Sequence, residues 1–362
     1  MKRVLLVGGG TAGHVEPALA VGKWLVAHDS QIQVAFLGTR SGIEVDLLLK
    51  EDFPLHCITK VPLPRKINSE LFTFPFRLIY SLAQSLRIIR NFDLIIGFGG
   101  YVSASAYLAA RALKKPIVIH EANALPGWSN KLGARFATEI AVAFESVKRS
   151  YPAWSNAIFT GMPIRKEISK VAELSSDQKR DIKTRVVYEL GLDPKLPIIF
   201  AFGGSQGSAA INKTIIDFSQ SEAGKSVQII HAVGGKNSLP SAESNYRSFS
   251  YIYNMAEMYV ACDLVISRSG AVSCAEIEAI HKFAIFVPLP IGNGEQSANA
   301  YDLVNSGAAL ICNNSEFTPS WLERNIESLI AQATKFNNAQ ISAPWQNADE
   351  AIGNIALSIM ER

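Results

Sequence analysis

The sequence predicts an α/β protein built from two Rossmann-like domains facing each other across a cleft. Two observations carry that prediction. Short apolar runs recur along the chain, each followed by turn residues and then a longer stretch with helical spacing, the pattern of β-α units around a parallel sheet. The two halves also open alike. Val4-Leu5-Leu6-Val7-Gly8-Gly9-Gly10-Thr11-Ala12-Gly13 begins one, and Ile199-Phe200-Ala201-Phe202-Gly203-Gly204-Ser205-Gln206-Gly207-Ser208 begins the other. Each reads as a strand, a glycine turn and a helix of small residues.

Taken in order, the strands of the first half are predicted at 4–7, 33–37, 94–96, 117–120 and 139–143. Those of the second half fall at 198–202, 227–232, 264–267, 284–287 and 309–312. Residues 174–181 are polar and charged, and 191–197 form a turn cluster, so the domain break is expected between Gly161 and Pro197. The expected division is 1–160 and 161–345, with a terminal helix at 346–362 returning to the first domain.

A chain of 362 residues, 48% apolar and 19% charged, is long enough for two cores and lacks the signature of disorder. Its net charge of +3 is too small for a nucleic-acid binder working through its field. Cys57, Cys262, Cys274 and Cys312 lie far apart without a Cys-x-x-Cys, which suggests neither a zinc site nor a disulfide framework and fits a reducing cytosol. The apolar run before Gly8 is too short for a signal peptide, and no stretch of about 18 apolar residues suggests a membrane span.

Three strand-glycine-helix junctions stand out, at 8–13, 97–100 and 203–207. Glycine lets backbone amides approach a ligand, and the helix N-terminus that follows favours an anion, so phosphates are the natural guests. Tight strand-to-helix packing explains any one junction equally well. Gly8-x-Gly10-x-x-Gly13 satisfies the dinucleotide fingerprint, yet the predicted second strand ends Phe36-Leu37-Gly38-Thr39-Arg40 with no carboxylate for a ribose. Arg40 keeps a nicotinamide oxidoreductase open, through a 2′-phosphate.

His14 falls in the first helical turn after the first glycine loop, where the helix dipole disfavours the imidazolium and leaves a neutral base near pH 7. A packing or capping histidine is the competing reading. His120-Glu121-Ala122-Asn123 adds polar groups at the carboxyl edge of the same sheet. In the second half, 267–276 offers Ser and Gly donors to a phosphate, with Glu276 about two turns into a helix, placed for ribose hydroxyls or simply solvated. Residues 292–299 are dense in amide and carboxylate groups suited to a sugar. No Asp-x-Asp occurs, which argues against a metal-held nucleotide diphosphate.

In combination these residues resemble the MurG family of bacterial N-acetylglucosaminyltransferases over essentially the whole chain. The motifs are Gly8 to His14 with Pro17, Gly97-Phe98-Gly99-Gly100-Tyr101-Val102-Ser103, His120-Glu121-Ala122-Asn123, Gly161-Met162-Pro163-Ile164-Arg165, Gly203-Gly204-Ser205-Gln206-Gly207, Arg268-Ser269-Gly270-Ala271 with Glu276, and Glu295-Gln296 with Asn299. The resemblance implies a GT-B fold and an inverting transfer of GlcNAc from UDP-GlcNAc to the C4 hydroxyl of N-acetylmuramic acid in lipid I, giving lipid II. A UDP-GlcNAc epimerase of the same fold is the alternative. No cofactor and no metal are expected.

By the same resemblance His14 is the leading catalytic base, with Asn123, Glu121 and Tyr101 as alternatives or orienting groups. UDP-GlcNAc contacts fall on Thr11, Ala12, Gly13 and Asn123 in the first domain. In the second half they fall on Arg165, Ser205, Gln206, Ile252, Met255, Ser273, Glu276, Glu295 and Gln296. The acceptor pyrophosphate falls on Gly10, Gly13, Gly99 and Gly100. Glu16, Ala122 and Glu295 depart from the family's usual residues. The resemblance further implies other cell-wall synthesis and division proteins as partners, and a peripheral place on the cytoplasmic face of the cell membrane.

Residues 62–90 suit that place. Arg65, Lys66, Arg77, Arg87 and Arg90 face the single acid Glu70, interleaved with Leu71, Phe72, Phe74, Phe76, Leu78, Ile79 and Tyr80. Basic heads beside apolar groups favour an anionic inner-membrane surface. The helical spacing of Phe76, Ile79, Tyr80 and Ala83 also permits a helix facing the sheet.

Overall fold

The computed structural model describes residues 2–41, 43–49, 51–61, 70–204, 206–241, 243–290, 293–339 and 347–361. It divides into two compact units, one of Met1–Arg165 with Asn347–Arg362 and one of Lys166–Gln346.

The first unit holds β1 (Lys2–Gly8), β2 (Ile32–Gly38), β3 (Leu55–Cys57), β4 (Leu94–Gly99), β5 (Ile117–Glu121), β6 (Glu139–Val142) and β7 (Ile158–Phe159) in one sheet ordered β3-β2-β1-β4-β5-β6-β7. Neighbouring strands pair in parallel throughout. Val4, Leu5, Leu6 and Val7 are all fully buried. A parallel strand covered by helices on both faces reads as a continuous apolar run, which is why the sequence shows it so plainly. Val4 and Leu6 join the core under helix Ala12–His28 and the terminal helix Ala348–Met360, while Leu5 and Val7 face the opposite core with Val102, Ala106 and Tyr107.

The second unit holds β8 (Ile198–Phe202), β9 (Gln228–Ala232), β10 (Tyr246–Phe249), β11 (Leu264–Ser267), β12 (Ala284–Phe286) and β13 (Ala309–Ile311), ordered β10-β9-β8-β11-β12-β13 and again parallel. In each sheet the order reverses beside its first strand, between β1 and β4 and between β8 and β11. Ligands of open α/β sheets bind at the carboxyl ends of the strands beside such a reversal. The glycine junctions of both units lie there.

Strands β3, β7 and β10 are absent from the sequence prediction, and all three are edge strands. They are only two to four residues long and mostly half-buried or exposed, so they need no apolar run.

Helix Glu70–Ile89 corrects the inward-facing reading of its aromatic residues. Phe76, Ile79 and Tyr80 are 76%, 66% and 60% exposed, and the buried stripe is Ser81, Ser85 and Ile89. The serines let this helix approach helix Tyr101–Ala112 closely: Ser81 donates to Ser105 Oγ at 3.1 Å, and Ser85 donates back to the Ser81 carbonyl. Arg65 and Lys66, with the side chains of Leu71 and Phe72, lie outside the described residues.

Candidate active site

In the first unit the junctions after β1, β4 and β5 sit side by side because those strands are neighbours. Thr11 sits at the N-cap position of the helix that begins at Ala12, its backbone carbonyl accepting from the His14 and Val15 amides. The His14 ring Nδ1 lies 3.3 Å from the Gly9 carbonyl oxygen and 3.2 Å from Thr11 Oγ1. A carbonyl only accepts, so Nδ1 carries the hydrogen and Nε2 keeps its lone pair. Burial holds the His14 pKa below its ordinary value, and the Gly9 hydrogen bond and the Glu44 charge oppose that shift only in part. The ring is therefore neutral near pH 7.

Gly99 keeps the approach to Nε2 clear. Its φ is +100°, and a Cβ there would stand 3.2 Å from Nε2. Gly100, with φ +86°, rests directly on the first loop, since a Cβ would come within 2.5 Å of the Gly9 carbonyl oxygen. Tyr101 opens the next helix, half-buried, its ring 6.3 Å from that of Trp128.

Glu121 ends β5 and is 2% exposed. Its Oε1 accepts from the Asn123 backbone amide at 2.9 Å and from Asn123 Nδ2 at 3.4 Å. Its Oε2 accepts from Gly127 N at 3.0 Å and from Asn130 Nδ2 at 2.9 Å. Burial raises its pKa against the pull of these donors. With both oxygens engaged, the carboxylate shapes the 121–130 loop and orients Asn123. Asn130 in turn accepts the Tyr107 hydroxyl at 2.8 Å, a link that sequence spacing does not announce. His120 is fully buried with a pKa pushed down to about 4 by burial, and its Nε2 bonds the Gly161 carbonyl.

Glu44 was not foreseen. The sequence rule looks for an acid at the end of the second strand and finds Arg40, but Glu44, a turn further on, supplies one. It is 1% exposed and its oxygens take Gly10 N at 3.2 Å, Thr39 N at 2.7 Å and Thr39 Oγ1 at 2.9 Å. The Gly10 amide, expected to face a pyrophosphate, is held by this carboxylate.

In the second unit Arg268 ties three junctions together. Its guanidinium donates to the Val287 and Pro288 carbonyls after β12, at 2.8 and 3.0 Å, and to Ser208 Oγ after β8, at 2.7 Å. Ser208 itself caps helix Ala209–Ser219. Ser273 sits in the first turn of helix Ala271–Ile280, and Ser269 Oγ just before it is buried with no hydrogen-bond partner among the described residues. Glu276 is 1% exposed and accepts the Tyr259 hydroxyl at 3.4 Å, which removes the reading of a solvated helix residue.

Gln296 Oε1 accepts from Leu289 N at 2.9 Å, and buried Asn299 donates to the Ser269 carbonyl at 3.4 Å, so the 295–299 segment is anchored beside the β11 junction. Glu295 is half-buried, with its pKa raised by burial. Ile252 is 9% exposed, Met255 opens helix Met255–Ala261, and Gln206 is exposed with its carbonyl taken by Asn237. Arg165 is half-buried and closes the first unit. Ser205 lies outside the described residues.

Comparison with known proteins adds to this geometry. Residues 4–142 match the glycosyltransferase family 28 N-terminal domain, and residues 198–354 match the glycosyltransferase family 28 C-terminal domain. The chain is 40% identical over 365 aligned positions to the UDP-N-acetylglucosamine--N-acetylmuramyl-(pentapeptide) pyrophosphoryl-undecaprenol N-acetylglucosamine transferase of Corynebacterium diphtheriae, covering 99% of this chain and 97% of that one. Among solved structures it is similar to MurG of Acinetobacter baumannii, at 28% identity and a TM-score of 0.71 over 99% of this chain and 100% of that one. The UDP-GlcNAc 2-epimerase of Neisseria meningitidis shares the fold, at 14% identity and a TM-score of 0.63 over 99% and 100% of the two chains.

Proposed function

Because the chain belongs to the MurG family within glycosyltransferase family 28, with its GT-B fold, we infer that it transfers GlcNAc from UDP-GlcNAc to lipid I, forming lipid II in peptidoglycan synthesis. The likeness in sequence along the whole chain to a named transferase carries this reading. An epimerase is not favoured, since likeness to that class is one of fold. The reaction class is tested by UDP release with and without a lipid I analogue: release should require the acceptor, whereas acceptor-independent turnover of UDP-GlcNAc would return the epimerase.

The division of labour follows. The first unit takes the acceptor, with its pyrophosphate at Gly10, Gly13, Gly99 and Gly100, and there Gly13, Gly99 and Gly100 must carry more of the contact than Gly10, whose amide is engaged by Glu44. His14 Nε2 takes the proton of the C4 hydroxyl as O4 attacks the anomeric carbon from the face opposite UDP, inverting it. Asn123 and Tyr101 position the acceptor, and Glu121 orients Asn123.

The second unit takes UDP-GlcNAc, with the diphosphate at Ser273 and the amides beside it, the uracil near Ile252 and Met255, the nucleotide near Ser205 and Gln206, and the sugar at Glu295 and Gln296. Helix N-termini stabilise the departing diphosphate without a metal. Glu276 recognises the ribose through its buried carboxylate. Glu276→Ala is accordingly expected to raise the KM for UDP-GlcNAc about 10-fold or more, with a smaller change in kcat, as measured by steady-state kinetics. Unchanged donor kinetics would leave Glu276 a structural residue packed beside Tyr259.

Peripheral attachment to the cytoplasmic face of the cell membrane completes the reading. Among the described residues no helix is long and apolar enough to cross a membrane. What supports docking is the exposed face of helix Glu70–Ile89, where Phe76, Ile79 and Tyr80 stand beside exposed Arg77. Burying such side chains at a lipid surface contributes about 25 cal/mol per Å², and each nearby cation adds about 1 kcal/mol. Replacing Phe76, Ile79 and Tyr80 together by Ser is expected to weaken sedimentation with anionic vesicles by about 10-fold or more. Equal, negligible binding of the unmodified protein to anionic and neutral vesicles would contradict the docking surface.

A further inference from the structure

The buried carboxylate of Glu44 has no place in the reaction as derived so far, yet it is bound to the same peptide group that holds the base. The Gly9–Gly10 peptide presents its carbonyl to His14 Nδ1 at 3.3 Å and its amide to Glu44 Oε2 at 3.2 Å. Thr39 fixes the other carboxylate oxygen with two donors, at 2.7 and 2.9 Å. The packing around Glu44 tolerates little else: a Cβ at Gly9 would come within 2.9 Å of Oε1, and one at Gly38 within 2.6 Å of Cγ.

We propose that Glu44 is a positioning residue for the transfer, acting on His14 through the Gly9–Gly10 peptide. The carboxylate draws on the Gly10 N–H, which makes the Gly9 carbonyl a stronger acceptor, and that carbonyl holds the imidazole as its Nδ1–H tautomer with Nε2 free. Chained hydrogen bonds of this kind strengthen one another by roughly 10–30% per bond. As the reaction proceeds, the C4 hydroxyl proton moves to Nε2 and O4 bonds to the anomeric carbon. The bond from that carbon to the UDP oxygen breaks, and UDP takes the electron pair. The ring becomes an imidazolium whose Nδ1–H points along the chain to a buried negative charge, and it later returns its proton to water.

The inference rests on His14 being the base, and it goes further in naming what supports it. The balance at His14 agrees, since burial lowers its proton affinity while the Gly9 carbonyl and the Glu44 charge raise it. Glu16 lies on the His14 helix, Arg40 and Glu44 both lie near Cys57, and Glu121 is tied to Asn130. Burial pushes the Cys57 thiol up, so it stays neutral where His14 titrates.

Imidazole ¹⁵N NMR of the full chain, with His14 assigned by comparison with His14→Ala, reads both tautomer and titration point directly. The unmodified protein should show His14 as the Nδ1–H tautomer, and finding the Nε2–H tautomer would overturn the proposal without any variant. In Glu44→Gln the His14 titration point should fall, and kcat should fall about 3- to 30-fold while the KM for UDP-GlcNAc holds. Glu44→Asp, which keeps the charge, should recover part of both. A fall in kcat with an unmoved titration point would mean that Glu44 acts other than through His14. A moved titration point with unchanged kcat would instead remove His14 as the base, and the catalytic role of Glu44 with it.

Discussion

His14→Ala is expected to lower kcat for GlcNAc transfer by about 10²-fold or more, the usual span for a general base, while the affinity for UDP-GlcNAc stays within about 2-fold of normal. The geometry sets the direction. Nδ1 is committed to the Gly9 carbonyl, Nε2 holds a free lone pair, and Gly99 leaves that nitrogen uncovered. The pH dependence follows from the same ring. Its pKa lies below the ordinary 6.5 because of burial, so the neutral, active form persists down to that lower value. Activity should therefore be level above pH 6.5 and decline as pH falls through the lowered pKa. His14→Ala should abolish that acid limb along with the rate. If the variant loses only acceptor affinity and keeps the limb, His14 binds and another group removes the proton.

Gly100→Ala is expected to damage both stability and rate. At φ +86° an alanine is strained by about 1–3 kcal/mol, and its Cβ would lie 2.5 Å from the Gly9 carbonyl oxygen, a backbone atom that cannot swing aside. Together these should remove about 2–4 kcal/mol, lowering the melting temperature by about 5–15 °C for a unit of this size. Because the displaced carbonyl is the acceptor for His14 Nδ1, kcat in the surviving folded fraction should fall at least about 10-fold. Thermal denaturation and steady-state rates on the same preparation measure both. An unchanged melt would mean that the two glycine loops do not constrain one another.

What the sequence could and could not say follows from how each group is held. The central strands were legible because residues such as Val4 to Val7 are buried on both faces and must be apolar without interruption. Strands β3, β7 and β10 were not, because an edge strand is paired on one side only and carries little apolar demand. The glycine junctions were legible as motifs, since Gly99 and Gly100 occupy backbone conformations that other residues avoid. Their partners were not. Asn130 reaches Glu121 from nine residues away, and Glu44 reaches Gly10 from thirty-four, and no local pattern encodes either hydrogen bond.

Helix Glu70–Ile89 is ambiguous in sequence for a different reason. Apolar residues at helical spacing ordinarily mark the buried face, but here Ser81 and Ser85 take that face because close approach to the neighbouring helix leaves room only for small side chains. Phe76, Ile79 and Tyr80 are then left outside. The spacing identifies a helix and leaves its facing open between sheet and solvent, and the structure turns these residues outward.

The central claim is that this chain joins GlcNAc to the C4 hydroxyl of a lipid-linked muramyl acceptor with inversion. The most direct measurement supplies UDP-[¹⁴C]GlcNAc and a synthetic polyprenyl-pyrophosphoryl-MurNAc-pentapeptide to the full chain, isolates the lipid fraction and determines the anomeric configuration of the new bond by NMR. The account predicts label in the lipid product, in a β-1,4 linkage, with one UDP released per GlcNAc transferred. An unlabelled lipid fraction, or a labelled product retaining the α configuration, would contradict it.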